Sequence, residues 1–247
     1  MATPSEKLAD SLEVLKALQD RGIVAIRSRD LSRTHRERLV KNGFLQEVIK
    51  GWYIPSRPDE KAGESTSWYA SFWNFCASYL ESRFEQDWCL SPEQSLSFHT
   101  GNRTVPRQLL VRTTKGTNNV TNLPYGTSLL DIRVDLPDKD DTCVIDGLRL
   151  FSLPAALIAC APMSYRKNST DIRAALAMIG DASDLLQRLL NGGHSTIAGR
   201  LAGAFRNIGR DDIAENITRS MAAAGYTVRE SDPFEAASPM TFNKRES

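Results

Sequence analysis

The segment SRTHRERLVKNGFLQEVIKGWY, from Ser32 to Tyr53, constrains the fold more than any other part of the chain. A short helical pattern ends at Gly43. The residues after it are β-formers, and they are interrupted by Lys50 and Gly51, which favour the tight turn of a hairpin. The segment therefore predicts a helix followed at once by a β-hairpin.

Two more helices are predicted before it. Leucines recur at spacings of three and four between Ser5 and Gly22, which predicts a first helix with Ser5 as its N-cap. The run IVAIRSRDL carries enough apolar residues for a short second helix and a turn. Thr34 and Glu37 have the spacing of a capping box that would open the third helix. Three helices and a hairpin over residues 5–55 make a winged helix-turn-helix.

The third helix has two different sides. At about 100° per residue, His35 and Leu39 share the inward side, and Arg36 and Val40 lie on its flank. The side chains expected to face outward are Arg33, Thr34, Glu37, Arg38 and Lys41. An inward leucine and an outward basic face are what a helix needs to read DNA, because arginine reaches both phosphates and guanine edges.

Charge supports this interpretation. The chain has a net charge of +1, but residues 21–57 carry nine basic and three acidic side chains, so their net charge is +6 and the rest of the chain is −5. A basic patch on an acidic chain favours a polyanionic partner. The residues predicted to bind double-stranded DNA are Arg33, Thr34, Arg36, Glu37, Arg38, Lys41 and, at the wing tip, Lys50. A solvated charged face on an ordinary small helical subdomain is the alternative.

The remaining sequence predicts a second domain. The stretch PSRPDEKAGES, residues 55–65, has the composition of a linker, and an aromatic helix with core spacing follows it. Residues 88–151 contain short β-rich runs that predict a small mixed sheet. The fold class is therefore α+β, a winged helix-turn-helix followed by a mixed α/β domain that ends in a helical bundle. The predicted domains are 5–55, 66–228 and a tail or linker over 229–247. Helices are expected in SLPAALIACAPM and over Ile172–Leu190, Ser195–Ile208 and Asp211–Ala224.

Nothing in the sequence predicts catalysis, a metal site or a cofactor. The three histidines are scattered, and the motifs FHTGNR, SYRK and NGGHSTIAG each lack the further residues that a catalytic or phosphate-binding site requires. The four cysteines are widely spaced, which favours reduced thiols over a disulfide or zinc framework. No run is long and apolar enough for a membrane span, and the N-terminus lacks a signal-peptide pattern. We therefore expect a cytoplasmic protein that is not an enzyme and has no membrane partner.

Two blocks of the sequence resemble the AbiEi-like antitoxin family of type IV toxin–antitoxin systems. The first is RGIVAIRSRDLSRTHRERLVKNGFLQEVIKGWYI, which is similar to the family's N-terminal winged helix. The second consists of CLSPEQSLSFHTG, RQLLV and GLRLFSLPAALI, and it is similar to the C-terminal domain. Arg33, Arg36, Arg38 and Lys41 match the basic positions of the recognition helix, and Lys50 matches the wing. His35 departs from the pattern, since the family usually has an apolar residue there.

The resemblance implies an autorepressor that binds a promoter inverted repeat, as a monomer or weak dimer, and counteracts a nucleotidyltransferase-type toxin. A second resemblance supports an alternative. The segment DDIAENITRSMAAAGYTVRESDPF is similar to a stretch that precedes the catalytic domain in some bacterial Fic-family proteins. Under that alternative the chain is a regulatory module of a Fic-type AMP-transferase system.

Overall fold

The computed structural model describes residues 3–60 and 63–235. Within these residues, α-helices and several small sheets form a mixed α+β protein, as the sequence predicts. The chain divides into two compact units. The first unit contains residues 3–91 and 104–150, and the second contains residues 92–103 and 151–235.

The N-terminal part of the first unit is formed by two helices and three strands. They are α1, Pro4–Asp20; β1, Ile26–Arg27; α2, Arg33–Lys41; β2, Leu45–Ile49; and β3, Trp52–Pro55. The strands form an antiparallel sheet in the order β1-β3-β2. Leu15, Leu18 and Leu39 of the helices are buried in one cluster with Ile26 and Leu45 of the strands. The leucine spacing that predicts α1 thus reflects the burial of one face of that helix.

The second helix predicted within residues 23–31 does not form, and that prediction was wrong. Ile26 and Arg27 instead form β1, which pairs with Tyr53 and Trp52 of β3. A turn follows, in which a carboxylate oxygen of Asp30 accepts a hydrogen bond from the Arg27 N–H at 2.7 Å. The β-branched residues of this run favour an extended chain, and the open edge of β3 supplies backbone partners that a single helical turn would lack.

Both helices of this part begin slightly earlier than the sequence predicts. Thr3, rather than Ser5, is the N-cap of α1, with extended backbone angles and a side chain that accepts a backbone hydrogen bond. Ser32 takes the same role in α2, where its Oγ accepts from the His35 N–H at 3.2 Å. The capping box predicted at Thr34 is therefore not used, because Thr34 already lies inside the helix.

The predicted hairpin is confirmed. The turn between β2 and β3 is at Lys50 and Gly51, and Gly51 has φ +83°, a conformation that glycine adopts without a steric penalty. The carbonyl of Gly51 accepts a hydrogen bond from the Ser28 N–H at 2.9 Å, which ties the hairpin tip to the turn after β1. Lys50 is exposed at this tip.

The structure describes most of the predicted linker but only the first part of the predicted tail. Residues 56–60 and 63–65 contain neither helix nor strand and connect β3 to the next helix. Residues 236–247 of the predicted tail lie outside the described residues, and residues 226–235 run along a helix of the second unit. The domain limits drawn at 55, 66 and 228 stay a prediction.

The rest of the first unit combines an aromatic helix with small sheets. The helix α3 spans Thr66–Phe84 and buries Trp68, Phe72 and Phe75 completely, which confirms that the aromatic stripe is core. The strands are β4, Cys89–Leu90; β5, Gln108–Thr113; β6, Val120–Asn122; β7, Ser128–Arg133; β8, Thr142–Ile145; and β9, Leu148–Phe151. The first four form a sheet in the order β4-β5-β7-β6, with β5 and β7 parallel, and β8 pairs with β9. The predicted mixed sheet is thus confirmed.

A charged side chain lies inside this sheet. Asp131 of β7 is fully buried, and its Oδ1 accepts hydrogen bonds from the backbone N–H and hydroxyl of Thr117 at 2.6 and 3.1 Å. Arg83 Nη2 lies 2.9 Å from Asp131 Oδ2 in an ion pair whose angle does not make a hydrogen bond. A buried carboxylate requires such partners because the unpaired charge is poorly solvated in the interior.

The second unit is helical. Its helices are α4, Pro92–His99; α5, Leu153–Ala159; α6, Pro162–Lys167; α7, Ser169–Ala177; α8, Ser183–Asn191; α9, Ser195–Asn207; and α10, Asp211–Ala223. The single helix predicted over Ile172–Leu190 was wrong. It is divided into α7 and α8, because Asp181 Oδ1 accepts hydrogen bonds from the N–H and hydroxyl of Ser183 and so starts a new helix after Gly180.

The last described residues lie against α9. A Cβ atom added at Gly199 would come within 2.0 Å of the Arg229 carbonyl oxygen, so only glycine permits this close approach. Arg206 of α9 forms an ion pair with Glu230 at 2.7 Å, and the Asn207 amide donates to Asp232 at 2.7 Å.

Candidate nucleic-acid interface

Helix α2 has an inner side that holds it in the fold. Leu39 is fully buried, and His35 Nδ1 lies 2.9 Å from the Ser11 hydroxyl of α1. The position that departs from the resembled family is thus a histidine packed between two helices and used for a hydrogen bond. The exposed side of α2 consists of Arg33, Thr34, Glu37, Val40 and Lys41.

Two of the predicted DNA contacts are paired with each other. Arg33 Nε lies 2.6 Å from Glu37 Oε1, one helical turn away, with both side chains largely exposed. The hydrogen bond from Arg33 holds the pKa of the Glu37 carboxyl below its usual value, and the same contact raises the pKa of Arg33. Both groups are therefore charged at neutral pH, and Glu37 offsets the charge that Arg33 presents to a partner.

Arg38 turns toward α1 rather than away from the protein. Its Nη1 donates to the Lys7 carbonyl at 2.6 Å and to the Ser11 hydroxyl at 2.8 Å. These contacts connect α2 to a helix more than twenty residues earlier in the chain. Arg38 thus fixes the angle between α1 and α2, although it was predicted to point outward.

Arg36 is held in a similar way. Its Nη1 donates to the Ser28 carbonyl at 2.9 Å, and its guanidinium lies over the Tyr53 ring, 5.8 Å from the ring centroid. Burial and the negative charge of Glu47 raise the pKa of Tyr53, so the phenol stays protonated. Arg36 therefore connects the turn after β1, the helix α2 and the strand β3.

Lys41 and Lys50 are the exposed predicted cations that form no ion pair within the described residues. Both are exposed, Lys41 at the end of α2 and Lys50 at the hairpin tip. Among residues 3–60 and 63–235, no acidic side chain forms an ion pair with either of them. A lysine without an intramolecular partner is available for a phosphate, which it binds as a point charge.

Sequence reasoning missed Val40. It was assigned to the flank of the inward side, but it is 41% exposed and shares the outer side of α2 with Arg33 and Glu37. A cleft of about 270 Å³ lies beside it, bounded by α2 and by Glu47 and Tyr53 of the hairpin. The apolar position in an otherwise charged helical face was visible in the sequence, but its exposure depends on how α2 is rotated on the sheet.

A larger groove runs along the other edge of α2. It has a volume of about 610 Å³ and is lined by Lys7 of α1 together with Thr34, Arg38 and Lys41. Of the nine residues that line the groove, three are basic and one, Glu37, is acidic. The outer side of α2 and this groove form one continuous surface through Glu37 and Lys41, which line both the groove and the smaller cleft. We call it the α2 surface, with Lys50 of the hairpin tip included.

The motifs considered for catalysis make contacts within the second unit. His99 Nε2 lies 2.8 Å from the Phe151 carbonyl, and Asn102 donates to Asp171 at 2.9 Å. Ser164 of SYRK donates to Glu93 at 2.9 Å. In the described part of the chain, no group of three or more histidine, cysteine and acidic side chains could hold a metal ion.

The four cysteines are thiols. Cys76, Cys89 and Cys160 are buried, and burial raises the pKa of Cys89 and of Cys160 to about 12. Burial also raises the pKa of Cys76 and of the half-buried Cys143. A thiol with a raised pKa is a poor nucleophile at neutral pH, so these side chains have the properties of core residues.

Among the described residues, no helix has the length and apolar character needed to cross a bilayer. Comparison of the chain with protein-family models, with curated proteins and with solved structures finds no match in any of the three.

Proposed function

We propose that the protein is a sequence-specific DNA-binding antitoxin that represses the transcription of its own toxin–antitoxin operon. The observation that carries the DNA-binding part is the α2 surface. It presents Lys41 and Lys50 without acidic partners in the described structure, inside a segment of net charge +6. Such a surface favours phosphates, since each contact releases counterions from the DNA.

The order α1, β1, α2, β2, β3 supports interpretation of this part as a winged helix in which a turn replaces one helix. Helix α2 would be the recognition helix. Its nine residues span about 14 Å at a rise of about 1.5 Å per residue, a length that fits in the major groove. The β2–β3 hairpin would be the wing, and Lys50 at its tip would contact the backbone.

The seven predicted contacts then have three kinds of role. Lys41, Lys50 and Thr34 are available for direct contact with phosphates. Arg33 and Glu37 can contact DNA once their mutual ion pair is exchanged for DNA groups. Arg36 and Arg38 hold α2 in position through the carbonyls of Ser28 and Lys7 and contribute only long-range charge. Base readout therefore falls to the middle of the exposed side of the helix.

The antitoxin role rests on the resemblance to the AbiEi-like family, which implies that the rest of the chain counteracts a nucleotidyltransferase-type toxin. An operator that is an inverted repeat would bind two copies of the chain, as independent monomers or as a weak dimer. Repression requires access to DNA, so the expected compartment is the cytoplasm. Coexpression with the product of an adjacent toxin gene, scored as rescued growth, tests this part separately.

A band-shift titration tests the DNA-binding part. The full chain is titrated against the DNA upstream of its own gene and against a shuffled duplex of equal composition, at about 50 and 200 mM salt. We expect tighter binding to the upstream DNA and a steep loss of affinity with salt on both duplexes. Equal affinity for both duplexes would overturn the proposal of a specific repressor.

A further inference from the structure

One apolar side chain lies in the charged face of α2. Val40 is 41% exposed, and its neighbours on the exposed side are Arg33, Glu37 and Lys41. At about 100° per residue, Val40 lies about 20° from Arg33 and about 60° from Glu37 around the helix axis. It is therefore close to the centre of the face that the proposed function presents to DNA.

The cleft beside Val40 is held in shape by contacts within the protein. Arg36 lies over the Tyr53 ring and donates a hydrogen bond to the Ser28 carbonyl, and Glu47 is the cross-strand neighbour of Tyr53. These side chains form a wall of the cleft, and Val40 lines the same cleft. Because the wall is fixed before any partner binds, a small group entering the cleft does not have to order it.

The chemistry of valine limits what it can recognise in a major groove. It has no donor or acceptor, so placing it over the edge of guanine, adenine or cytosine would remove water from polar base atoms without replacing the lost hydrogen bonds. The 5-methyl group of thymine is the apolar feature of the major groove. Glu37 and Glu47 balance Arg36 and Lys41 in the cleft itself, but the segment of residues 21–57 that contains Val40 has a net charge of +6, which favours DNA as the occupant over an apolar peptide.

We propose that Val40 reads a thymine through its 5-methyl group, which makes this residue a determinant of sequence specificity on the α2 surface. The inference rests on the proposed function and specifies one base that the protein recognises. Lys41 and Lys50 set affinity for any duplex, whereas Val40 favours duplexes with a thymine at one position of each half-site.

Deoxyuridine isolates this contact because it lacks only the 5-methyl group and keeps every hydrogen-bonding group of thymine. A binding sequence is first selected from a random duplex pool with the full chain. Each thymine of the selected site is then replaced in turn by deoxyuridine. Dissociation constants are measured by fluorescence anisotropy for the parent protein, for Val40→Ala and for Val144→Ala. Val144 is the matched control, since it is 60% exposed on β8.

We expect the parent and Val144→Ala to lose about fourfold in affinity when deoxyuridine replaces one particular thymine, the effect of losing one buried methyl group. Val40→Ala should discriminate less between the thymine and deoxyuridine duplexes at that position, because alanine keeps only one methyl group for the contact. Thermal unfolding of Val40→Ala should match that of the parent, because the side chain is exposed and alanine favours a helix.

Two results would overturn the role of Val40, and only one of them would also overturn the proposed DNA-binding function. If the pool yields a binding sequence but no thymine position distinguishes Val40→Ala from the parent, the role of Val40 fails and the DNA-binding function remains. If no sequence is enriched, the proposed function fails together with the inference.

Discussion

Asp131 in the four-stranded sheet and Lys41 on α2 are both charged side chains next to a hydrophobic core, but their surroundings are opposite. Asp131 has no exposed surface, and its carboxylate is paired with Thr117 and Arg83. Lys41 is exposed and forms no ion pair within the described residues. The first arrangement satisfies a charge inside the fold. The second leaves the charge exposed to solvent.

The same contrast exists within α2 itself. Arg36 and Arg38 donate to backbone carbonyls, whereas Lys41 extends into solvent. Arginine suits the structural role because its planar group offers five donors in fixed directions, and lysine suits a mobile contact with phosphate. A count of basic residues therefore overstates the number of cations that the surface leaves without an intramolecular partner, and the contacts of each residue decide its role.

The largest expected effect is a loss of stability on replacement of Asp131, the buried and paired charge. Asp131→Ala leaves Arg83 without its anion and Thr117 without its acceptor. We expect the free energy of unfolding to fall by about 3 kcal/mol, the range for breaking a buried pair. Urea denaturation followed by circular dichroism measures this loss.

Asp131→Asn is the matched control, because the amide oxygen can still accept from Thr117, and its loss should be smaller. If Asp131→Ala is as stable as the parent, the sheet does not depend on this charge, and the contrast with the α2 surface fails.

The next largest expected effect is a loss of DNA affinity on replacement of Lys41 and Lys50, the exposed charges without ion-pair partners in the described part of the chain. Replacing Lys41 and Lys50 together by alanine should weaken binding to any duplex about 10- to 50-fold at low salt, because two phosphate contacts are lost. The slope of log affinity against log salt should become shallower by about 1.8. Anisotropy titrations on specific and shuffled duplexes at several salt concentrations measure both quantities.

Lys115 and Lys139 are exposed lysines elsewhere in the first unit and provide the control pair. Their replacement by alanine should leave the slope unchanged. An equal change in both double variants would mean that the DNA responds to overall charge and not to the α2 surface.

Arg38 and Lys41 separate the two roles on one helix. Arg38→Met removes two hydrogen bonds to α1, and we expect the free energy of unfolding to fall by about 1–2 kcal/mol, with the salt slope nearly unchanged. Lys41→Met should make the salt slope shallower and leave the free energy of unfolding nearly unchanged. If Arg38→Met changes the salt slope as much as Lys41→Met and leaves the free energy of unfolding intact, then Arg38 is a phosphate contact, as Lys41 is, and not a residue that holds α2 in position.

The sequence predicts the parts of this surface that depend on neighbouring residues. The leucine spacing, the glycine-containing turn and the exposure of Lys41 and Lys50 all follow from local patterns. The inward turn of Arg38 could not be predicted, since it requires the Lys7 carbonyl, 31 residues away, to lie beside α2. The same reason applies to β1, whose extended form depends on pairing with β3.

The smallest expected change in DNA affinity follows replacement of Glu37, which forms an ion pair with Arg33 on the exposed side of α2. Glu37→Gln releases Arg33 from its ion pair, and at pH 7 the lost charge is a full one because the pKa of Glu37 is already lowered by Arg33. We expect affinity for a random duplex to rise about two- to fourfold and the salt slope to steepen by about 0.9, as one phosphate contact is gained. Anisotropy titration on the random duplex measures both.

Arg33→Ala and the double variant complete a cycle that isolates the pair. If Arg33 supplies the new contact, the double variant should bind like Arg33→Ala, with no gain from the loss of Glu37. If Glu37→Gln instead weakens binding on the selected site alone, its carboxylate accepts a hydrogen bond from a base, and cytosine N4 is the donor that a carboxylate recognises. Glu37 would then belong with Val40 among the residues that read sequence, and Arg33 would serve to hold its carboxylate in place.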